Sequence, residues 1–192
     1  MNAEAVSLAE YGRKTVTNRL GLWLFILSDM FVFGGLLVAR FYLLGTGVRP
    51  EVTQSLGLAV TVILLLSSFF ANRAEVAMSF GDQKTFLRSI LVTIVLGTLF
   101  LLGVVGVEWP LAPFGPNHDA AWSLFYTMTG FHAFHVLTGV LFLLIVYRNA
   151  RRGLYNAERY WPVEAAVVFW HFVDVVWVFF YTSLYLMGTP PL

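Results

Sequence analysis

The sequence predicts an all-α integral membrane protein, a bundle of five transmembrane helices with a cytoplasmic N-terminus and an outside C-terminus. Hydrophobic residues make up 58% of the 192-residue chain and charged residues only 12%, a composition typical of membrane proteins. Its apolar stretches are close to the roughly 20 residues that a helix needs to cross a bilayer. The five predicted spans are residues 20–44, 52–71, 89–107, 121–147 and 163–187.

Nothing in the composition divides these spans, and the loops between them are short. We therefore predict that residues 1–192 form a single membrane domain. The polar tail, residues 1–19, resembles the start of a signal peptide, but the apolar run after it is too long, so we expect an uncleaved first helix. The chain has no cysteine, which excludes disulfides and thiolate metal sites. A net charge of +1 predicts no nucleic-acid partner.

Positively charged residues fall mostly on one side of the predicted membrane. Ten of the 12 lysines and arginines lie in the N-terminal tail and in the loops after the second and fourth spans. The opposite side carries only Arg40 and Arg49. Because positive residues are retained in the cytoplasm, this asymmetry predicts the orientation given above. We expect Arg40, near the outer end of the first span, to extend its side chain to the interface.

The first span carries an acidic residue, Asp29, about nine residues in from its cytoplasmic end. Water is hard to reach at that depth, so we predict that the carboxyl group is protonated or paired. Two interpretations stay open. Asp29 handles protons or contacts lipid or another subunit, or it is a purely structural hydrogen-bonded acid.

The third span ends at Glu108, followed by Trp109. An acid next to a tryptophan suits the boundary between lipid and water, where the indole anchors the helix end. We therefore predict an interfacial acid at a solvated helix terminus.

The fourth span carries His132 and His135, which share a helix face because they lie three residues apart. Such a pair can chelate a metal, but a closed site needs more ligands, and the remaining histidine within a predicted span is His171. A two-haem bundle needs four axial histidines. We therefore predict no metal or haem in this chain, and neutral histidines that hydrogen-bond across helices toward Asp174 or Glu164.

The last span carries Glu164, His171 and Asp174, which fall on one side of a helix within roughly 60°. An ionised Asp at the bilayer centre costs about 2.5–3.5 kcal/mol, so such groups usually face protein or a water-filled cavity. We predict an interhelical polar network that fixes the bundle. Its members are His132, His135, Glu164, His171 and Asp174.

A basic cluster, Arg148, Arg151 and Arg152, follows the fourth span. Basic residues at this depth attract anionic lipid headgroups by about 1 kcal/mol each, and they also act as an orientation signal. The chain has no nucleophile–base pair, phosphate loop or nucleotide fingerprint, so we assign no catalytic residue.

Four stretches, in order along the chain, carry recognisable motifs. Residues 164–181 begin with the pattern E-A-A-x-x-x-W-H-F-V-D-V-V-W, and residues 129–139 resemble T-G-F-H-G-x-H-V-x-x-G. Residues 23–29 match x-L-F-x-x-S-E with Asp29 in the last place, and Glu108-Trp109 matches an E-Y/W ending. Together these stretches resemble subunit III of the haem-copper oxidases, the cytochrome c oxidase subunit 3 family, in a short five-helix form.

The resemblance implies a subunit of a cytochrome c or quinol oxidase that packs against the catalytic subunit I, alongside subunit II. It implies no redox centre in this chain, with haem and copper in the partner subunits. In that family the subunit is associated with bound phospholipid, with proton uptake into subunit I and with oxygen access. The resemblance implies that Asp29 takes the place of a buried Glu of the family. Arg148, Arg151 and Arg152 lie where lipid-headgroup residues occur.

We therefore predict a non-catalytic subunit of a proton-translocating terminal oxidase in a bacterial plasma membrane, supporting assembly, lipid binding and proton uptake. Two departures from the family stand out: Asp29 is one methylene shorter than Glu, and five helices replace seven. A quinol-oxidase or nitric-oxide-reductase-associated homologue stays open, as does a scaffold without influence on turnover. A stand-alone proton or ion transporter is the alternative of another class. It would use Asp29, His132, His135, Glu164 and His171.

Overall fold

Five long helices account for most of the computed structural model, which describes residues 3–189, with side chains from residue 10 onward. The helices are α1 (Ala3–Leu44), α2 (Gln54–Ser79), α3 (Gln83–Leu101), α5 (Ala120–Arg151) and α6 (Trp161–Tyr181), with a short helix α4 (Trp109–Leu111). All five long helices, α3 and α6 with their continuations, are long and apolar enough to cross a membrane. The described residues form no β-strand. The predicted all-α membrane fold is confirmed.

Two helices continue beyond their α-helical part as π-helical segments. We call Leu102–Glu108, after α3, the first π segment, and Thr182–Leu186, after α6, the second π segment. A π segment inserts an extra residue into the turn and frees backbone carbonyls, and such segments are frequent at functional sites. Both segments lie at the same end of the bundle, since α3 and α6 run in the same direction.

The helices are longer than the predicted spans at several ends. The N-terminal tail, predicted as a polar segment before the first span, is helical from residue 3 and forms one uninterrupted helix, α1, with that span.

At the start of α5, the Asp119 carboxylate accepts a hydrogen bond from the Trp122 backbone N–H at 2.9 Å. This bond holds the pKa of Asp119 below its ordinary value. That the chain forms a single domain stays a prediction.

The last helix lies at the centre of the bundle. α6 packs against α1, α2 and α5, while α2 and α3 pair closely and α3 also packs against α5. The large side chains of the core come from all four of the inner helices. They include Leu64 and Met78 of α2, Phe86 and Phe100 of α3, Phe125 of α5, and Trp170, Trp177 and Phe180 of α6. α1 contacts only α5 and α6 extensively among the described helices, so it lies on the outside of the bundle.

The two ends of the bundle differ in charge. One end, the arginine-rich end, carries the α2–α3 turn and the α5–α6 loop with its preceding cluster Arg148, Arg151 and Arg152. The other, the arginine-poor end, carries the loops after α1 and α4 and the end of the last span.

Candidate functional site

Asp29 on α1 faces His135 on α5. The Nε2 atom of His135 lies 3.5 Å from Oδ2 of Asp29, and both side chains are 15% exposed. The Nδ1 atom of His135 lies 2.8 Å from the Phe131 carbonyl oxygen, an acceptor, so Nδ1 carries a proton and Nε2 is directed to Asp29. The Phe33 ring packs against the imidazole with centroids 4.7 Å apart. The carboxyl group of the first span is therefore paired, as one of the two predicted alternatives required.

Glu164 pairs with α1 and not with the predicted histidines. Nε and Nη2 of Arg19 donate to the two carboxylate oxygens of Glu164 at 3.0 and 2.8 Å. The Arg19 guanidinium also lies over the Trp161 ring, 5.8 Å from its centroid. This two-pronged contact joins the start of α6 to α1 at the arginine-rich end.

His171 and Asp174 both face α2. Nδ1 of His171 lies 2.6 Å from Oγ of Ser68, within hydrogen-bond distance. Asp174 is 4% exposed and lies near the same serine. Neither carboxylate oxygen of Asp174 has a hydrogen-bond partner among the described residues.

His132 lies in an aromatic cage at the centre of the bundle. Its side chain is fully buried against Trp177, Phe100 and Phe180, with ring centroids 4.8, 5.6 and 6.3 Å away. Neither ring nitrogen has a hydrogen-bond partner within the part of the chain that the structure describes. The expected hydrogen bond from His132 to Asp174 or Glu164 is therefore absent there.

The five residues of the predicted network thus lie in four separate places. Asp29–His135 and Arg19–Glu164 hold α1, His171 and Asp174 face α2, and His132 packs against aromatic rings. The periodicity of α6 correctly placed its polar side chains toward protein. It carried no information about which helix each side chain would meet.

Two tryptophans of α6 make polar contacts that the sequence did not reveal. Nε1 of Trp170 donates to Oγ of Ser67 at 3.0 Å, and Nε1 of Trp177 donates to Oγ1 of Thr61 at 2.9 Å. All four residues are buried. A buried tryptophan usually satisfies its indole N–H through such a partner. The hydroxyl side chains at positions 61 and 67, within an otherwise apolar helix, are the feature of the sequence that could have indicated these contacts.

Arg40 does not extend to the interface. Its side chain is fully buried, and Nε, Nη1 and Nη2 donate to the carbonyl oxygens of Ser183, Gly45 and Val48 at 3.0, 2.5 and 2.8 Å. The Ser183 carbonyl belongs to the second π segment and is one of the last four carbonyls of this helix, which have no N–H partner within the helix. The expectation for Arg40 is wrong because these backbone groups solvate the guanidinium within the protein.

Glu108 is buried as well, with 4% of its surface exposed, so the predicted solvated helix end is not formed. Its Oε2 accepts a hydrogen bond from the Tyr185 hydroxyl at 2.7 Å. The pair joins the two π segments at the arginine-poor end.

Two grooves lie at the arginine-rich end. Arg148, Arg151 and Arg152 line one of about 410 Å³, together with Tyr147. A second groove, of about 590 Å³, lies between α1, α5 and α6, with Phe25, Phe142 and Phe169 among its apolar walls. Asn149 and Tyr155 lie at its polar end and are hydrogen-bonded to each other at 3.2 Å.

Comparison with known proteins identifies the family. The sequence model described as "Cytochrome c oxidase subunit III" matches residues 7–189. The chain belongs to the cytochrome c oxidase subunit III family.

Relatives of the chain are identical to it at about a third of the aligned positions. It is 37% identical over 177 residues to the cytochrome c oxidase subunit 3 of Thermostichus vulcanus, covering 88% of this chain and 86% of that protein. It is 33% identical over 183 residues to the subunits 3 of Ceratotherium simum and Bos taurus, covering 89% of this chain and 70% of each of theirs. The resemblance seen in four motifs is confirmed.

Membership in the subunit III family makes the chain a membrane-embedded subunit III of a terminal oxidase, and thus part of an oxidase complex. Among the described residues, no group of three or more histidine, aspartate or glutamate side chains is placed to hold a metal.

Proposed function

We propose that this subunit III holds no redox centre and supports assembly, lipid binding and proton uptake of the catalytic subunit I while the complex reduces oxygen to water. Haem and copper then belong to the partner subunits. The observation that carries the proposal is the Asp29–His135 pair, a carboxyl and an imidazole facing each other inside the membrane. Acids at this depth are costly, and they are usually retained for function.

The geometry of the pair suits a group that holds and transfers a proton. The Nδ1 proton of His135 is engaged by the Phe131 carbonyl, which leaves Nε2 directed to Asp29. At 3.5 Å the two groups make no hydrogen bond, and Oδ2 of Asp29 has no hydrogen-bond partner among the described residues. An imidazole nitrogen and a carboxyl oxygen that face each other in this way are groups that general acid–base chemistry uses.

The two grooves support the lipid part of the proposal. The three arginines present positive charge where phosphate headgroups lie, and each such residue adds about 1 kcal/mol to the attraction. The apolar groove runs alongside α5, and its apolar walls and volume of about 590 Å³ suit an acyl chain. Val146 and Asn149 line this groove and lie within one helical turn of Arg148. One phospholipid could therefore engage both grooves.

Orientation and partners follow from charge and exposure. The arginine-rich end faces the cytoplasm by the positive-inside rule, which puts the N-terminus inside and the C-terminus outside. The exposed apolar face of α1 is available to lipid and to subunit I, and subunit II completes the complex. A relative from a cyanobacterium supports a bacterial plasma membrane. The relatives' names favour cytochrome c over quinol as the electron donor.

Substitution of Asp29 in the assembled oxidase tests the proton role. We expect Asp29→Asn to slow proton uptake and to shorten the catalytic lifetime, with Asp29→Glu retaining both. Glu158→Gln, at an exposed position of the α5–α6 loop, is the matched control. Turnover, proton pumping and the rate of inactivation are measured on complexes of equal subunit content. Unchanged values for all three in Asp29→Asn would remove Asp29 from the proposal.

A separate experiment addresses lipid. Replacing Arg148, Arg151 and Arg152 together by glutamine should lower the phospholipid that co-purifies with the complex, as measured by mass spectrometry. An unchanged phospholipid content would leave these arginines with orientation as their only role.

A further inference from the structure

The two π segments meet through a buried acid and a buried tyrosine. Glu108 is the last residue of the first π segment, and Tyr185 lies within the second. The tyrosine hydroxyl donates to Oε2 of Glu108 at 2.7 Å, and both side chains are almost completely buried. Neither the proton uptake nor the lipid binding proposed above uses this pair.

The fold holds Tyr185 in place from three sides. Gln54 Nε2 donates to the Tyr185 carbonyl oxygen at 2.9 Å, and Arg40 Nε donates to that of Ser183 at 3.0 Å. On the third side, the tyrosine ring lies directly on Gly57, where a Cβ atom would collide with it. The hydroxyl position is therefore set by the backbone of the second π segment, and the Glu108 carboxyl is held against it.

The second oxygen of Glu108 has no partner among the residues that the structure describes. Oε1 is buried and makes no hydrogen bond to any described residue, and no lysine, arginine or histidine among them pairs with the carboxyl. An ionised carboxylate buried without a cation is costly, so Glu108 is neutral in this arrangement. Because Tyr185 donates to Oε2, the proton of the neutral acid resides on Oε1.

A small pocket lies beside Glu108. Glu108 and the exposed Glu51 both line it, with Thr53, Pro113 and Trp122 among the other walls. Its volume of about 20 Å³ is enough for one water molecule, which needs at least about 10–15 Å³. The pocket lies at the arginine-poor end, where Glu51 precedes α2.

We propose that Glu108 is a proton-binding site that exchanges its proton with the aqueous phase at the arginine-poor end through one water molecule and Glu51. The acid proton passes from Oε1 to the oxygen of the water, and the water passes one of its own protons to the Glu51 carboxylate. No electrons move, and charge and atoms balance at each step. The site is separate from the Asp29–His135 pair, which joins α1 to α5, because the two share no residue and no hydrogen bond or ion pair among the described residues joins them.

No other charged or titratable group among the described residues offers Glu108 a second route for its proton. Tyr185 is the one described residue of this end that hydrogen-bonds Glu108. Arg40 is engaged by backbone carbonyls, and His118 and Asp119 pair with each other at 3.1 Å. The other charged and titratable residues of this end are Arg40 and Tyr42 from α1, Arg49 and Glu51 from the loop before α2, His118 and Asp119 from the loop before α5, Tyr126 from α5 and Tyr181 from the last span.

Infrared difference spectroscopy of the intact oxidase complex, during exchange from H₂O to D₂O, tests the proposal. We expect a carbonyl band of a protonated carboxylic acid that is lost in Glu108→Gln. In Tyr185→Phe the band should shift to higher frequency, since one hydrogen bond to the acid is removed. In Glu51→Gln the band should persist, with its deuterium exchange slowed on the order of 10²-fold, the effect of removing a proton-transfer group. Glu158→Gln should change nothing.

The outcomes separate the parts of the proposal. A spectrum of Glu108→Gln identical to that of the wild type would overturn the site, and exchange unchanged in Glu51→Gln would overturn the route. If Glu108→Gln does not assemble, Tyr185→Phe still decides the matter, because an unshifted band would mean that no neutral acid accepts the tyrosine hydroxyl. The proton-uptake experiment on Asp29 is independent of all these results.

Discussion

In the first span, 11% of the residues in its most apolar 18-residue stretch are buried by the rest of the chain, whereas the corresponding share in the last span is 61%. Both spans carry ionisable groups within the membrane. In α6 these groups lie in a core of tryptophan and phenylalanine side chains. In α1 most of the surface is apolar and exposed, so packing against the bundle contributes far less to holding the helix.

Three polar contacts compensate for this along α1. Arg19 pairs with Glu164, Asp29 with His135, and Arg40 with the carbonyls of the second π segment and the α1–α2 loop. Along α1 these contacts are made from positions 19, 29 and 40, so neighbouring contacts lie about 15 Å apart along the helix axis. An ionisable residue in an outer helix therefore acts as a tie to the rest of the bundle. In a central helix the same kind of residue lies in a core whose apolar packing already fixes the helix in the bundle.

The largest expected effect is the loss of stability on replacing a tryptophan, which should be much greater in α6 than in α1. Trp170→Ala on α6 removes a fully buried indole, its hydrogen bond to Ser67 and its packing, and should lower the free energy of unfolding by about 3–5 kcal/mol. Trp23→Ala on α1, where the indole is 58% exposed, should lower it by less than about 1 kcal/mol. Denaturant unfolding of the purified complex in mild detergent measures both. Equal losses would contradict the contrast.

The second effect concerns the tie at the arginine-poor end of α1. Arg40→Met removes a buried charge that backbone carbonyls solvate, and should destabilise the complex by about 1.5–3 kcal/mol, the value of hydrogen bonds to a charged group. Arg40→Lys should recover only part of this, because an ammonium cannot reproduce the planar fork. Retention of the subunit during detergent washing gives a second measurement. Full recovery with lysine would show that charge alone, without geometry, holds α1.

A third effect compares glycines of the two regions. A Cβ at Gly139 on α5 would lie 2.8 Å from the Trp170 ring, whereas one at Gly35 on α1 would meet nothing within 4 Å. Gly139→Leu should therefore destabilise the complex by about 1–3 kcal/mol through overpacking. Gly35→Leu should be close to neutral in the same thermal or denaturant assay. A costly Gly35→Leu would indicate that a partner subunit packs closely on that face of α1.

The smallest effect sets a baseline for polar contacts in water. The Trp122 N–H lowers the pKa of Asp119, so the cap stabilises the folded protein above the ordinary pKa of 3.8 and loses this contribution as the pH falls below it. Asp119→Ala should cost about 0.5–1 kcal/mol at neutral pH, the lower part of the range for a partly solvated cap. Near pH 3 the difference from the wild type should shrink. A difference independent of pH would argue against the carboxylate as the cap.

The motifs predicted the family, the apolar stretches predicted the number of spans, and the polar periodicity of α6 predicted which side of that helix faces protein. The assignments that failed share a physical reason. Arg40 and Glu108 were expected at the interface because each lies near the end of an apolar run, where water is normally the partner. The π segments, which no apolar pattern indicates, turn carbonyls and Tyr185 toward them. His132 was expected to hydrogen-bond, yet its neighbours are aromatic rings contributed by other helices.

The amino-acid sequence was sufficient to predict five membrane-crossing helices, since a helix in lipid satisfies its own backbone hydrogen bonds and needs only a sufficient apolar length. It also carried the family motifs, because these are local runs of residues. The folded structure was needed to show that Asp29 meets His135, that Glu164 meets Arg19 and that Glu108 meets Tyr185. Each of these pairs joins two helices, and its formation depends on how the helices cross and on their relative register, which no single span encodes.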